Sequence, residues 1–367
     1  MKKRIIESYM YIALIIILIF FVINVFIFQS RLKVVKEAEK TAAEAAKPAL
    51  IELVSIKASN CINCFDLSPV IESVKKGNIN VTKEEILTSD SERAKELMSM
   101  YNITKIPALL IFGETNKTRI SGFETVDDVL VYSQVNPLYV EVATGKVRGQ
   151  VSVINVIDSS CKGCVSLSPI LESLGEAGVV VTDMKDVEYD LTEGRQLIDR
   201  FDIKHVPAIL ISDEINYYDG MQQALSAVNA VEKQGFYAIH STVPPYRNLT
   251  TNRIVGLVEL IMLTDSSCTT CYNVTINKLI VQRSGVFISS EKNYDITSKE
   301  GKDLISKYSV QKVPIIIMSP DTSYYTNFVR IWRSVGSIES DGWFVMRSPD
   351  VVGTYKDLTT NQVVERE

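Results

Sequence analysis

The apolar and polar positions divide the chain into one long apolar run and three similar stretches. From Tyr9 to Phe28, 20 consecutive residues contain a single strongly polar one, Asn24. At a helical rise of about 1.5 Å per residue the run spans about 30 Å, the thickness of a hydrocarbon core. A cleaved leader has a shorter apolar region, roughly 7–15 residues, closed by small residues. This run instead ends in Phe-Ile-Phe-Gln-Ser-Arg, so an uncleaved signal anchor, a single-pass transmembrane helix, is expected over residues 9–28. Lys2, Lys3 and Arg4 argue that residues 1–8 are cytoplasmic, against Arg31, Lys33, Lys36 and Lys40 on the other side. Long domains translocate with little regard to flanking charge, which puts the remainder of the chain outside the cytoplasm, on the cell membrane. Residues 29–48 are rich in Ala, Lys and Glu and read as a helical stalk.

Beyond Pro48 the pattern repeats. Ile51–Ile56, Val151–Ile157 and Ile254–Leu263 read as apolar strands, the last two rich in β-branched residues. Each leads into a CxxC motif: Cys61/Cys64, Cys161/Cys164 and Cys268/Cys271. Helical stretches follow, FDLSPVIESV, VSLSPILESL and YNVTINKLIV. Asn60, Ser160 and Ser267 precede the first cysteines, and Asp158 and Asp265 stand three residues upstream of theirs. These residue types cap helices, so each CxxC is expected to open one. Pro69 and Pro169 would kink that helix, and Ile276 takes their place in the third copy. A second signal follows in YNITKIPALLIF (101–112), FDIKHVPAILIS (201–212) and YSVQKVPIIIMS (308–319), where a helix end leads to a proline and a buried strand. The intervals 107 − 61, 207 − 161 and 314 − 268 are each 46 residues, so the proline and the cysteine pair belong to one repeating unit. Residues 143–147, 249–253 and 358–362 read as tight turns before strands that, in the first two cases, lead into the next unit. The units are therefore placed at 49–147, 148–252 and 253–367.

Composition narrows the chemistry. A net charge of −5 and the lack of a basic cluster with interleaved aromatics give no sign of nucleic-acid binding. All six cysteines lie in CxxC motifs, as suits a chain in an oxidising compartment, where stray thiols form wrong bridges. His205 and His240 are the only histidines; His205 stands two residues before Pro207 and reads as a packing or surface residue, or one lining the second site. Asn-x-Ser/Thr sequons occur at Asn80, Asn102, Asn116, Asn248 and Asn273. No phosphate-binding glycine loop or Ser-His-Asp motif appears.

The order strand, CxxC, helix, strand, helix, Ile/Val-Pro, strand resembles the thioredoxin superfamily, and YNITKIPALLIF resembles the segment around that family's cis-proline. The resemblance covers about 320 residues as three copies. It implies an α/β architecture of three tandem thioredoxin-like folds, each a central mixed sheet flanked by helices. It also implies thiol–disulfide exchange with protein thiols and disulfides, as an oxidase, isomerase or electron relay, working with a soluble or membrane redox partner. No cofactor or metal is expected beyond the cysteine pairs. The first cysteines, Cys61, Cys161 and Cys268, would sit exposed at helix N-termini, which lower a thiol pKa from ~8.5 toward ~3.5–7.5. Cys64, Cys164 and Cys271 would resolve the mixed disulfide. Ile106-Pro107, Val206-Pro207 and Val313-Pro314 would carry cis peptides and form the substrate groove.

Departures from the family bear on direction. The residues between the cysteines are Ile62-Asn63, Lys162-Gly163 and Thr269-Thr270, and the family's buried acid would fall at Ser55, Asn155 and Met262, none of which is a base. This argues against efficient reduction. Potentials in the family run from ~−270 to ~−120 mV, so CxxC alone does not set the direction. Lys162 predicts that Cys161 is the most acidic of the first cysteines, and a higher thiol pKa there than at Cys61 or Cys268 would contradict it. Other readings stay open: zinc ligands, inert staples, one active unit beside two binding units, or a membrane-anchored scaffold that holds protein partners with structural disulfides. Against zinc, a closed site needs four ligands, and the pairs lie on separate units.

Overall fold

The computed structural model describes residues 20, 21, 24–37, 40, 47–118 and 120–366. Residues 24–37 are helical, which covers part of the expected stalk, while most of the anchor at 9–28 lies outside the described residues. Among the described residues no helix is long and apolar enough to cross a membrane. The chain divides into two compact units, Met1–Arg148 and Gly149–Glu367.

The first unit holds one five-stranded sheet, in the order Ile79–Thr88, Ala49–Lys57, Ala108–Gly113, Val129–Tyr132, Glu124–Val126. Ala49–Lys57 runs parallel to Ile79–Thr88 and antiparallel to Ala108–Gly113. A parallel pair needs a crossover, and the helix Ser68–Lys75 supplies it. The helix Glu92–Met100 starts where Ser91 Oγ accepts the Ala94 N–H at 3.3 Å, satisfying one of the free N–H groups of the first turn. Central residues Ile51, Leu53, Ile56, Leu109, Leu110 and Ile111 are fully buried, each worth roughly 1.5–3 kcal/mol.

The second unit repeats this sheet twice. The orders are Val181–Glu188, Val151–Ile157, Ala208–Ser212, Phe236–His240, Val231–Lys233, and then Ile288–Asp295, Val258–Thr264, Ile315–Met318, Phe344–Met346, Gly336–Ile338. The parallel and antiparallel pairings match those of the first sheet. The crossover helices are Ser168–Glu176 and Thr275–Arg283.

Each fold also carries a three-stranded side sheet, which moves the expected boundaries. Val147–Arg148 pairs with Tyr139–Glu141, and Arg253–Val255 pairs with Tyr246–Asn248. The strand after each tight turn therefore folds back on its own repeat, and only the next strand opens the following one. In the third copy Gln362–Val364 closes the same hairpin on Tyr355–Asp357. The single strand expected over Ile254–Leu263 is two, Arg253–Val255 and Val258–Thr264. Gly256 separates them at a φ of +85°, with its backbone so close to Pro244 that an added Cβ would stand 2.3 Å from that residue's Cβ.

Candidate redox sites

In all three folds the CxxC pair forms a disulfide in a turn between the second strand of the five-stranded sheet and the crossover helix. Its Cα atoms are 5.5, 5.4 and 5.5 Å apart in Cys61–Cys64, Cys161–Cys164 and Cys268–Cys271. All six cysteines are half-buried.

The motif does not open the helix as its sequence context suggests. The helices begin at Ser68, Ser168 and Thr275, seven residues after each first cysteine (68 − 61, 168 − 161, 275 − 268). Two bonding patterns explain the delay, one long-range and one local. The N–H of the residue after the second cysteine leaves the helical path, since Phe65 donates to Leu138 O at 2.8 Å, Val165 to Pro245 O at 3.0 Å and Tyr272 to Thr354 O at 2.9 Å. Further on, Asp66 Oδ1, Ser166 Oγ and Asn273 Oδ1 accept the N–H two residues ahead, from Ser68, Ser168 and Thr275, at 2.9, 3.1 and 3.0 Å. These side-chain turns set the helix start. Pro69 and Pro169 occupy the first helical turn, where a missing N–H costs nothing, and do not kink the helices. The cysteines are thus displaced from the helix end, and the helix field falls off within about one turn. Asp66, Ser166 and Asn273 all lie five residues after the first cysteine, a regularity that marks the helix start more directly than Asn60, Ser160 and Ser267.

The Ile106–Pro107, Val206–Pro207 and Val313–Pro314 peptides are cis. Each proline joins a two-residue strand of the side sheet to a strand of the main sheet. In the first fold, Pro107 lines one open cavity of about 230 Å³ together with Cys61, Ile62, Cys64 and Phe65. In the second, Pro207 faces a cavity with Asn155, Ser166 and Leu167. In the third, the Tyr272 hydroxyl beside Cys271 donates to Pro314 O at 2.9 Å. Burial pushes the Tyr272 phenol up to about 12, so it stays a neutral donor.

Asp158 and Asp265 cap no helix. Each is buried in an ion pair with a cation from the side sheet: Arg247 Nε donates to Asp158 Oδ2 at 2.6 Å, and Lys356 Nζ to Asp265 Oδ2 at 2.5 Å. Their other oxygens accept the hydroxyls of Ser160 and Ser267, each at 2.6 Å. Arg247 and Lys356 sit directly opposite Val206 and Val313, the residues before the cis-prolines. The pair therefore ties the strand entering the CxxC to the proline segment. Burial pushes both carboxyls up, but the serine bonds and the cation outweigh it and hold them below the usual value. In the first fold the same two places hold Ala58 and Val140, the latter opposite Ile106. Sequence reading missed the cations because their partners are 89 and 91 residues away.

Ser55, Asn155 and Met262 lie on the strands that lead into the CxxC turns. Ser55 Oγ and Asn155 Oδ1 are buried without a hydrogen-bond partner, while Asn155 Nδ2 donates to Asp186 at 2.8 Å. His205 is half-buried, stacked on Tyr246 at 4.1 Å and edge-on to His240 at 5.5 Å. Its Nδ1 lies 3.1 Å from Ser241 O, and burial holds its pKa below the ordinary value. Among the described residues no cluster of three or more His, Cys, Asp or Glu is placed to hold a metal ion.

No protein-family model matches the sequence, and no curated protein matches it. Among solved structures the chain is similar to ERdj5 in crystal form II at 12% identity, over 74% of this chain and 38% of that one, with a TM-score of 0.16. It is similar to human ERp44 at 14% identity, over 76% and 80%, with a TM-score of 0.15. It is similar to a protein disulfide oxidoreductase from Aeropyrum pernix at 15% identity, over 52% and 92%, with a TM-score of 0.15. The chain thus spans well under half the length of the ERdj5 chain. Superpositions this loose carry no weight, and the assignment comes from the molecule's own connectivity. One strand order, with a CxxC turn after the second strand of the sheet and a cis X–Pro crossing 46 residues on, recurs three times: each repeat is a thioredoxin-like fold.

Proposed function

We propose that the chain carries out thiol–disulfide exchange on protein substrates outside the cytoplasm, tethered by residues 9–28, as an oxidase, isomerase or electron relay. The observation that carries this reading is the first site, where the Cys61–Cys64 disulfide and cis-Pro107 line the same open cavity. A substrate thiolate attacks one sulfur of the pair and the other leaves as a thiolate; the second substrate thiol then displaces the mixed disulfide. Two electrons and two protons pass to the cysteine pair, and the substrate leaves as a disulfide. The redox equivalents travel on the cysteines themselves. Cys61, Cys161 and Cys268 are the nucleophiles of the reverse direction, Cys64, Cys164 and Cys271 resolve, and Ile106, Val206 and Val313 border the groove beside Pro107, Pro207 and Pro314.

The scaffold reading draws on a different observation, the seven-residue gap between each first cysteine and its helix, which removes part of the field that would hold a thiolate. One assay separates the two. The full chain in detergent should speed disulfide formation in a reduced, unfolded protein, and replacing Cys61, Cys161 and Cys268 together by Ser should abolish this. Equal rates with and without the wild-type chain would favour the scaffold.

A further inference from the structure

The second CxxC differs from the others in what lies against it. Gly163, the residue before Cys164, is half-buried, whereas its counterparts Asn63 and Thr270 are exposed. A Cβ at Gly163 would stand 2.6 Å from Cε1 and 2.7 Å from Cζ of Phe287. The ring comes from the third fold, on the residue just before Ile288–Asp295, and the turn it touches belongs to the second; both lie in the compact unit Gly149–Glu367. Only a glycine gives the ring that approach.

The ring is held there by the joint between the two folds. Phe287 N donates to Tyr325 Oη at 3.1 Å, and the same hydroxyl donates to Gly256 O at 2.6 Å. Asp321 accepts the N–H groups of Gly256 and Leu257 at 2.9 and 3.1 Å and also pairs with the Arg253 guanidinium. Tyr325 is buried, so these bonds form a rigid mount. Phe287 itself is 39% exposed and absent from the third fold's core, which does not need the ring. The second fold carries Val180 at the same place, with Val180 N donating to Tyr218 Oη at 2.9 Å, so the aromatic ring is particular to the third fold.

We propose that Phe287 is a cap on the second redox pair, which keeps protein substrates off Cys161–Cys164 while the folds stay docked and leaves the pair open to small dithiols. The inference rests on the exchange reading above. Both sulfurs remain in half-buried residues, within reach of a small reagent; the ring packs against Gly163, between the two cysteines, and narrows the room beside them for a polypeptide. In the small-dithiol reaction a reagent thiolate opens the disulfide, Cys164 or Cys161 leaves as a thiolate, and the second reagent thiol closes a cyclic disulfide. Two electrons and two protons remain on the pair.

The test uses the oxidised full chain in detergent, reduced in parallel by dithiothreitol and by a reduced, unfolded protein dithiol. Acid quenching, alkylation and peptide mass mapping give the rate at each pair. In Phe287→Ala the rate at Cys161–Cys164 with the protein dithiol, relative to that at Cys61–Cys64, should rise by about fivefold or more, while the same ratio with dithiothreitol stays within about twofold. Phe287→Val, which installs the residue of the second fold, should act in the same direction and guards against a variant that disturbs the joint. An unchanged protein-dithiol ratio in both variants would overturn the cap. If the protein dithiol reduces no pair in any variant while dithiothreitol reduces all three, the exchange reading fails, and the cap falls with it.

Discussion

At the scale of single residues the three sites share a geometry but not an electrostatic setting. Asp158 with Arg247, and Asp265 with Lys356, stand where the first fold has Ala58 and Val140. The chain therefore contains both solutions to one problem, joining the strand before the CxxC to the proline segment. Breaking a buried pair is costly, but replacing both members by apolar groups is often neutral. Arg247→Met should lower the stability of the Gly149–Glu367 unit by about 3–5 kcal/mol in denaturant unfolding, because the Asp158 carboxylate loses its cation. The double variant Asp158→Ala with Arg247→Val, which copies the first fold, should recover most of that loss. The sign of the pH effect follows from the depressed carboxyls. Their stabilisation is present above the unfolded value near 3.9 and is lost as the pH falls toward the lower folded value. The double variant should show a smaller acid loss below about pH 4, and an equal loss would show that the pair adds nothing.

At the scale of elements, the strands and the X–Pro crossings were legible because apolar runs and a fixed 46-residue interval are local, repeating signals. The start of the crossover helix was not. Cap-type residues beside the cysteines suggest a helix there, but the backbone donors after the second cysteine bond to residues 73, 80 and 82 positions away (138 − 65, 245 − 165, 354 − 272), and no local pattern encodes that. Pro69 and Pro169, which the sequence pattern suggests as kinks, are first-turn residues. Ile254–Leu263 reads as one strand because a single glycine interrupts an otherwise continuous apolar run, and the structure divides it into two. That break is testable. Gly256 combines a positive φ with a close approach to the Pro244 ring, so Gly256→Ala should destabilise the Gly149–Glu367 unit by at least about 1 kcal/mol. A variant as stable as wild type in denaturant unfolding would mean that the joint is looser than its geometry.

At the scale of the molecule, three copies of one fold put three disulfides on a single chain, and the pairs differ in what surrounds them. The first lines an open cavity, the second has Phe287 packed against the Gly163 of its turn, and the third is bordered by a neutral tyrosine. The proposed anchor predicts that the full chain stays in the membrane pellet at alkaline pH; extraction into the supernatant would contradict residues 9–28 as a span. Exchange itself is tested most directly by a site-resolved redox titration of the full chain, with each pair trapped by alkylation and quantified by mass. The account predicts midpoints above about −230 mV for at least the Cys61–Cys64 pair, in the range of oxidising and isomerising dithiols. Midpoints below about −300 mV at all three pairs would make them structural staples and contradict the exchange function.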